Sequence, residues 1–224
     1  ASGADLIFVS LPRCHGAGAR SQSLNFQVHP FKSDDLSRAD REPILELLAT
    51  MDATVIGPGI GRDETTLKIL REIISEATCP LVLDATALQS WTLDAVSGKS
   101  AILTPHLGEL ERMDLSPTMI GPAAKNHGVT IHLKGTIDQI ADPVGSVHEV
   151  TGGNAGLTVG GTGDALAGLI AGLIAQGHSP LEACRTASMI IKRAGTLLYP
   201  EFGYAYGTYR VIGCIPSLLK NISC

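Results

Sequence analysis

The chain reads as an α/β domain wound around a mainly parallel sheet, with an antiparallel hairpin near one edge. Three features predict it. Short apolar, β-branched runs recur along the 224 residues, each bounded by Gly, Pro or Asp. Segments with helix signals lie between most of them. The stretch Asp138–Val150 instead has two strand-like halves around Asp142-Pro143-Val144-Gly145, the pattern of a hairpin.

The elements follow in order. Leu6–Leu11 is the first strand-like run. Its lead-in, Ser2-Gly3-Ala4-Asp5, is the kind of segment that ends a helix and turns into a strand. The expectation is a chain that begins in mid-fold, short of a first strand and helix; an ordinary N-terminal lead-in is the alternative. Arg13–Ser23 is polar and contains glycine, and is expected as a surface loop. Ala53–Ile56, Leu81–Leu83, Ala101–Leu103 and Val129–Leu133 are further strands, apolar enough for burial on both faces. Asp63 should cap a helix running through Ala77, with Leu67, Ile69, Leu70, Ile73 and Ile74 as its apolar positions. Ala165–Gln176 is an apolar helix that Gly168 and Gly172 should thin for close packing. Ser179, Pro180 and Glu182 supply an N-cap, a first-turn proline and a capping-box acid for a helix reaching about Leu198. No linker, repeat or low-complexity tract interrupts residues 1–224, so one domain is expected.

Composition narrows the function classes. The formal net charge of -5 argues against nonspecific nucleic-acid binding, which needs a basic surface. The longest apolar run, Ala165–Ala175, is well short of the roughly 18 residues of a membrane span. Cys14, Cys79, Cys184, Cys214 and Cys224 lie far apart with no zinc spacing. Reduced thiols in a cytoplasmic protein are the expectation. Glycine is in excess, 25 residues where about 7% of a chain is ordinary, without a collagen period.

The chemistry-bearing motifs explain some of that excess. Gly160-Gly161-Thr162-Gly163-Asp164 opens the apolar helix. A glycine-rich turn at a helix start lets backbone N–H groups and the helix dipole face an anion. Asp164 there can take the proton of a hydroxyl as its oxygen attacks phosphorus, a general-base role worth typically about 10²–10⁴-fold. The bland alternative is a turn with an acid that merely favours the helix start. Gly57-Pro58-Gly59-Ile60-Gly61-Arg62-Asp63 joins a strand to a helix: either a ligand-approach loop or a tight turn with a cap. Thr104-Pro105-His106-Leu107-Gly108-Glu109 ends another strand; His106 could bond a ligand and Glu109 could orient a metal-bound water, or both could be ordinary helix-start residues. Lys134 could meet a phosphate or be a solvated turn lysine, and Asp84 also ends a strand. Strand ends of a parallel sheet share one edge, so these pieces should converge. His29, His127, His132, His148 and His178 show no metal or catalytic spacing and are expected on the surface or as satisfied core residues; Trp91 is expected in packing.

In order along the chain, ADLIFVSLP, ATVIGPGIGRD, LVLDATAL, ILTPHLGEL, VTIHLKG and TGGNAGLTVGGTGDALAGLIAGLIAQG resemble the ribokinase-like superfamily, and within it the ADP- or ATP-dependent NAD(P)H-hydrate dehydratases. The resemblance implies a three-layer α/β/α fold and a hydro-lyase. Such an enzyme would phosphorylate the ring hydroxyl of 6S-hydrated NADH or NADPH and then eliminate phosphate. It implies Asp164 as base, Gly161, Thr162 and Gly163 around the transferring phosphate, and Gly61 and His106 with Asp164 on the hydrated cofactor. It implies Lys134, Gly135, Thr136, Ile137 and Asp138, with Gly163, on ADP or ATP, a Mg²⁺ with unassigned ligands, and a homotetramer. Asp138 stands where the family usually has Thr. A vitamin-alcohol kinase of the same fold is the alternative, and a nucleotide-binding regulatory module without catalysis is a third.

Overall fold

A computed structural model describes residues 2–220. The strands of the main sheet are β3 (Thr54–Ile56), β4 (Leu81–Leu83), β5 (Ala101–Leu103), β6 (Thr130–Leu133), β7 (Asp138–Ala141) and β8 (Val147–Val150), lying side by side in that order. β3 to β6 are parallel; β7 and β8 continue the edge as the antiparallel hairpin. Ahead of them come β1 (Ile7–Leu11), α1 (Gly16–Gln22), β2 (Phe26–Pro30) and α2 (Arg38–Leu48). The remaining helices are α3 (Glu64–Glu76), α4 (Thr92–Val96), α5 (Leu107–Arg112), α6 (Ile120–His127), α7 (Thr162–Ala175), α8 (Pro180–Phe202) and α9 (Thr208–Lys220).

Strand alternation divides the core in two. Leu81, Leu83, Leu103 and Ile131 point to one face, where they meet Ile69, Leu70, Ile73 and Ile74 of α3 and Ala124 of α6. Val82, Ile102 and Ile140 point to the other, against Leu166, Leu169 and Ile170 of α7 and Ala187 and Ile190 of α8. Successive side chains of a strand leave on opposite faces, so a fully apolar strand needs a helical layer on each side. The expected three-layer α/β/α arrangement follows. Asp63 accepts from the Thr66 amide at 3.0 Å and caps α3. Ser179 and Glu182 form the capping box of α8, which runs past the expected Leu198 to Phe202.

Three expectations change. Leu6–Leu11 does contain a strand, but β1 pairs in parallel with β2 in a separate two-stranded sheet. Arg13–Ser23 is not a loop: a 3₁₀ turn at Arg13–His15 leads into α1, which packs on β2. Gly16 and Gly18 weaken the local helix preference, and tertiary contact overrides it. Gly172 accepts close contact, since a Cβ there would lie 2.1 Å from Ser2 Oγ; Gly168 faces open space and thins nothing.

Cys14, Cys79, Cys184 and Cys214 are unpaired, and Cys224 lies outside the described residues. Burial pushes the Cys184 thiol well up, so it is an inert core residue. Among the described residues no helix is long and apolar enough to cross a membrane. His132 is fully buried, and Trp91 packs against the core under the Arg71 guanidinium.

Candidate active site

The C-terminal ends of β3, β4, β5 and β6 lie along one edge, as parallel pairing requires. Asp84 follows β4 and is buried. Its Oδ1 accepts from Lys134 Nζ at 2.6 Å and from Thr104 Oγ1 at 2.9 Å. Lys134 follows β6, and its amide donates to Pro105 O at 2.8 Å, prolonging the β5–β6 pairing. Glu109 Oε2 lies 3.5 Å from the same ammonium. Lys134 is thus pinned in place between two buried carboxylates.

His106 caps α5. Its Nδ1 accepts from the Glu109 amide at 3.2 Å, and its own amide donates to Glu109 Oε2 at 2.9 Å. Its Nε2 lies 3.5 Å from Glu109 Oε1, and the ring is largely exposed.

The start of α7 closes the site from the other side. Gly161 has φ +88°, a left-handed conformation that a side chain resists, and precedes the first helical turn. A Cβ on Gly163 would stand 3.4 Å from Lys134 Nζ and 3.8 Å from Asp84 Oδ2. Helix amides and an ammonium thus border one small volume. Asp164 sits beside it. Burial, then the charge of Asp84, push its carboxyl above the ordinary range, and Lys134 opposes them. Asp164 still reaches solvent. The arrangement sets a carboxyl of raised proton affinity beside a helix start and an ammonium paired with Asp84 and Glu109.

The loop after β3 is pressed onto this site. A Cβ on Gly57 would fall 1.7 Å from the Asp84 carbonyl oxygen, and its φ is +127°. Thr86 Oγ1 donates to Ile60 O at 2.9 Å, tying the loop to the turn after β4. Ala85 in that turn is left-handed at φ +52°. Such strain costs about 1–3 kcal/mol and is held by its surroundings; here Arg112 donates to the Ala85 carbonyl at 3.3 Å. Gly61 lies one residue beyond the Ile60 tie. Among the residues proposed for the nucleotide, Ile137 is exposed, whereas the Asp138 carboxylate turns inward to His132, Ser188 and the Gly135 amide.

Several residues that sequence reasoning did not single out shape the site. Asn154 Oδ1 accepts from Tyr206 Oη at 2.6 Å and from the Gly156 amide at 2.9 Å, while Nδ2 donates to Gly195 O at 2.7 Å. This fixes the segment leading to α7. Thr208 Oγ1 donates to Gly160 O at 2.7 Å, so α9 braces the glycine-rich turn before α7. The one legible signal was Lys192, a charge inside the apolar stripe of Ala187, Ile190, Ile191 and Ala194. A cavity of about 200 Å³ between β2 and α2 lies away from these residues and includes Asp40, whose carboxylate already accepts from the Lys32 amide and from Ser37 Oγ.

The three-layer α/β/α arrangement has the ribokinase-like fold. A solved ribokinase-like superfamily protein from Enterococcus faecalis superimposes with a TM-score of 0.81 at 24% identity, over 98% of this chain and 78% of that one. The Bacillus subtilis ADP/ATP-dependent NAD(P)H-hydrate dehydratase, co-crystallised with ATP/Mg²⁺, gives 0.71 at 23%, over 96% and 88%. The model of the NAD(P)H-hydrate dehydratase family matches residues 1–217, and the chain belongs to that family. An ADP-dependent (S)-NAD(P)H-hydrate dehydratase from Cenarchaeum symbiosum is 32% identical over 98% of this chain and 80% of its own length. One of the same description from Nitrosopumilus maritimus is 30% identical over the same shares.

Proposed function

We infer that this protein is a nucleotide-dependent hydro-lyase that restores NADH or NADPH from its 6S hydrate. Family membership and the relatives' activity support the substrate. The observation that carries the phosphoryl-transfer step is the closeness of the Gly163 position to Lys134, which brings a helix N-terminus and an ammonium together. Asp164 accepts the proton of the ring hydroxyl as its oxygen attacks the terminal phosphorus of the nucleotide. The bond from that phosphorus to the departing nucleotide breaks. The α7 amides and Lys134 stabilise the charge that builds on the phosphoryl oxygens. Phosphate then leaves with a ring proton, and the double bond reforms; phosphate departs far more readily than hydroxide.

ADP is our preferred donor, because the relatives are ADP-dependent. The segment Lys134–Asp138 is proposed for the adenine nucleotide, and Gly61 and His106 for the hydrated cofactor. No group of three His, Cys, Asp or Glu among the described residues forms a closed metal cage. Mg²⁺ is ordinarily bound through one or two carboxylates plus substrate phosphates. Asp84 and Glu109, already gathered on one cation, would hold it, and it would neutralise phosphate charge. The unpaired cysteines suit a reducing, cytoplasmic setting. Exposed Met189, Leu197, Tyr204 and Tyr209 offer apolar surface to a homo-oligomer.

The test is recovery of dihydronicotinamide absorbance from hydrated NADH or NADPH with ADP or ATP and Mg²⁺. Recovery is expected. No recovery with either nucleotide rejects the reading, and a stable phosphorylated alcohol formed from another substrate would favour the kinase instead.

A further inference from the structure

Behind the turn that carries Lys134 lies a buried polar cluster of Lys192, Asp138, Ser188 and His132. Lys192 of α8 donates from Nζ to Gly135 O and to Thr136 O, each at 3.0 Å. The same Nζ lies 3.3 Å from Asp138 Oδ1. That oxygen also accepts from the Gly135 amide at 2.9 Å. Asp138 Oδ2 accepts from Ser188 Oγ at 2.6 Å and meets His132 Nε2 at 3.1 Å. Lys192 and Asp138 are each 8% exposed at the side chain, and His132 not at all.

An ammonium has three protons and no acceptor. Lys192 donates to two backbone carbonyls of one short segment, and the Asp138 carboxylate of the same segment lies 3.3 Å from its Nζ. The fold itself has little need of this arrangement, because well-packed apolar residues usually match or exceed the stability of a buried ion pair. What the cluster supplies is geometry. The carbonyls of Gly135 and Thr136 are pulled toward α8, the Gly135 amide is held by Asp138, and Lys134 at the head of the turn is left facing Asp84. The turn has little slack of its own: a Cβ on Gly135 would lie 3.0 Å from Ile137 O.

We propose that Lys192, acting with Asp138, is a positioning residue that clamps the 135–138 turn and thereby sets nucleotide affinity. The proposal rests on reading this turn as part of the nucleotide site. Neither side chain touches the reacting atoms; both act through the backbone of the turn.

The experiment compares wild type, Lys192→Met and Lys192→Arg. It measures nucleotide binding by calorimetry, KM for nucleotide and for hydrate separately, and amide hydrogen exchange across residues 134–138. Lys192→Met should weaken ADP binding roughly 10- to 100-fold, the scale of loss from an ångström of misplacement. Its KM for hydrate should stay within about twofold, with faster exchange confined to the turn, and Lys192→Arg should recover part of both effects. A folded Lys192→Met protein with wild-type ADP affinity and unchanged exchange at 134–138 overturns the clamp. So does a uniform loss in kcat and both KM values that tracks the folded fraction. Wild type that binds no adenine nucleotide would instead remove the functional reading of the turn, while the exchange comparison still decides whether Lys192 holds it.

Discussion

Lys134 Nζ stands 2.6 Å from Asp84 Oδ1, joining the ends of two strands that are not neighbours in the sheet. β5 lies between them, and its own end residue Thr104 bonds to the same carboxylate oxygen. The pair therefore fixes the spacing of three strand ends under the start of α7. Replacing Asp84 by Ala should strand a lysine that is 18% exposed at the side chain. The loss should fall at the low end of the roughly 3–5 kcal/mol for breaking a buried pair, because Glu109 remains nearby. Chemical denaturation of the variant measures it, and an unchanged midpoint would remove the pair from any account of the site.

Asp164→Asn should abolish turnover while nucleotide binding persists, checked by single-turnover kinetics beside calorimetry. The variant should be at least as stable as wild type at neutral pH. The sign follows from the raised folded-state pKa: ionised Asp164 disfavours the folded state, and that cost vanishes as pH falls through the folded value. Full activity in the variant would show that another group takes the proton.

The same shift sets a pH profile. With Asp164 as the proposed base, kcat should fall on acidification with a midpoint above the ordinary aspartate value of about 3.9. Lys134→Met should move that midpoint up, since Lys134 lowers it, and Asp84→Asn should move it down. A midpoint that ignores both substitutions would place the titration elsewhere.

Asp138 behaves oppositely. Burial alone would raise its pKa, but bonds from His132, Ser188 and the Gly135 amide outweigh it and hold the group at about 2. A depressed folded pKa contributes stability that is present above the unfolded value, about 3.9, and lost as pH falls toward 2. Thermal unfolding between pH 5 and pH 2 should therefore show a steep loss that Asp138→Asn flattens. Parallel curves for the two proteins would refute this.

Gly57→Ala should be much worse than Gly59→Ala. Both positions have positive φ, but a Cβ at Gly57 meets the Asp84 carbonyl at 1.7 Å, whereas at Gly59 it meets nothing within 4 Å. Gly59→Ala should cost only the left-handed penalty, roughly 1–2 kcal/mol. Gly57→Ala should cost more and also lower kcat by displacing Asp84, as urea melts and kinetics on the two variants would reveal.

Much of this was legible beforehand. Short apolar runs bounded by Gly and Asp read as strands, and parallel strands must end on one edge, so Asp84, His106 and Lys134 were expected together. The hairpin at Asp138–Val150 and the caps at Asp63 and Ser179 were equally plain, because each depends on neighbours in sequence. The α1 helix was not legible, since its glycines argue locally for a loop and only its packing on β2 decides otherwise. Nor was the separation of β1 and β2 from the main sheet: an apolar run shows that a strand forms, not which strand it joins.

By itself the sequence determined the layered α/β class, the helix boundaries set by local caps, and the set of residues able to handle a phosphate. All of these rest on period, propensity and chemical type. Tertiary structure alone decided that Asp138 turns its carboxylate into the core, that Lys192 crosses from α8 to hold Gly135 and Thr136, and that Lys134 faces Asp84. Those outcomes depend on groups 50 to 57 residues apart meeting at distances where a buried charge must find a partner or not be there at all.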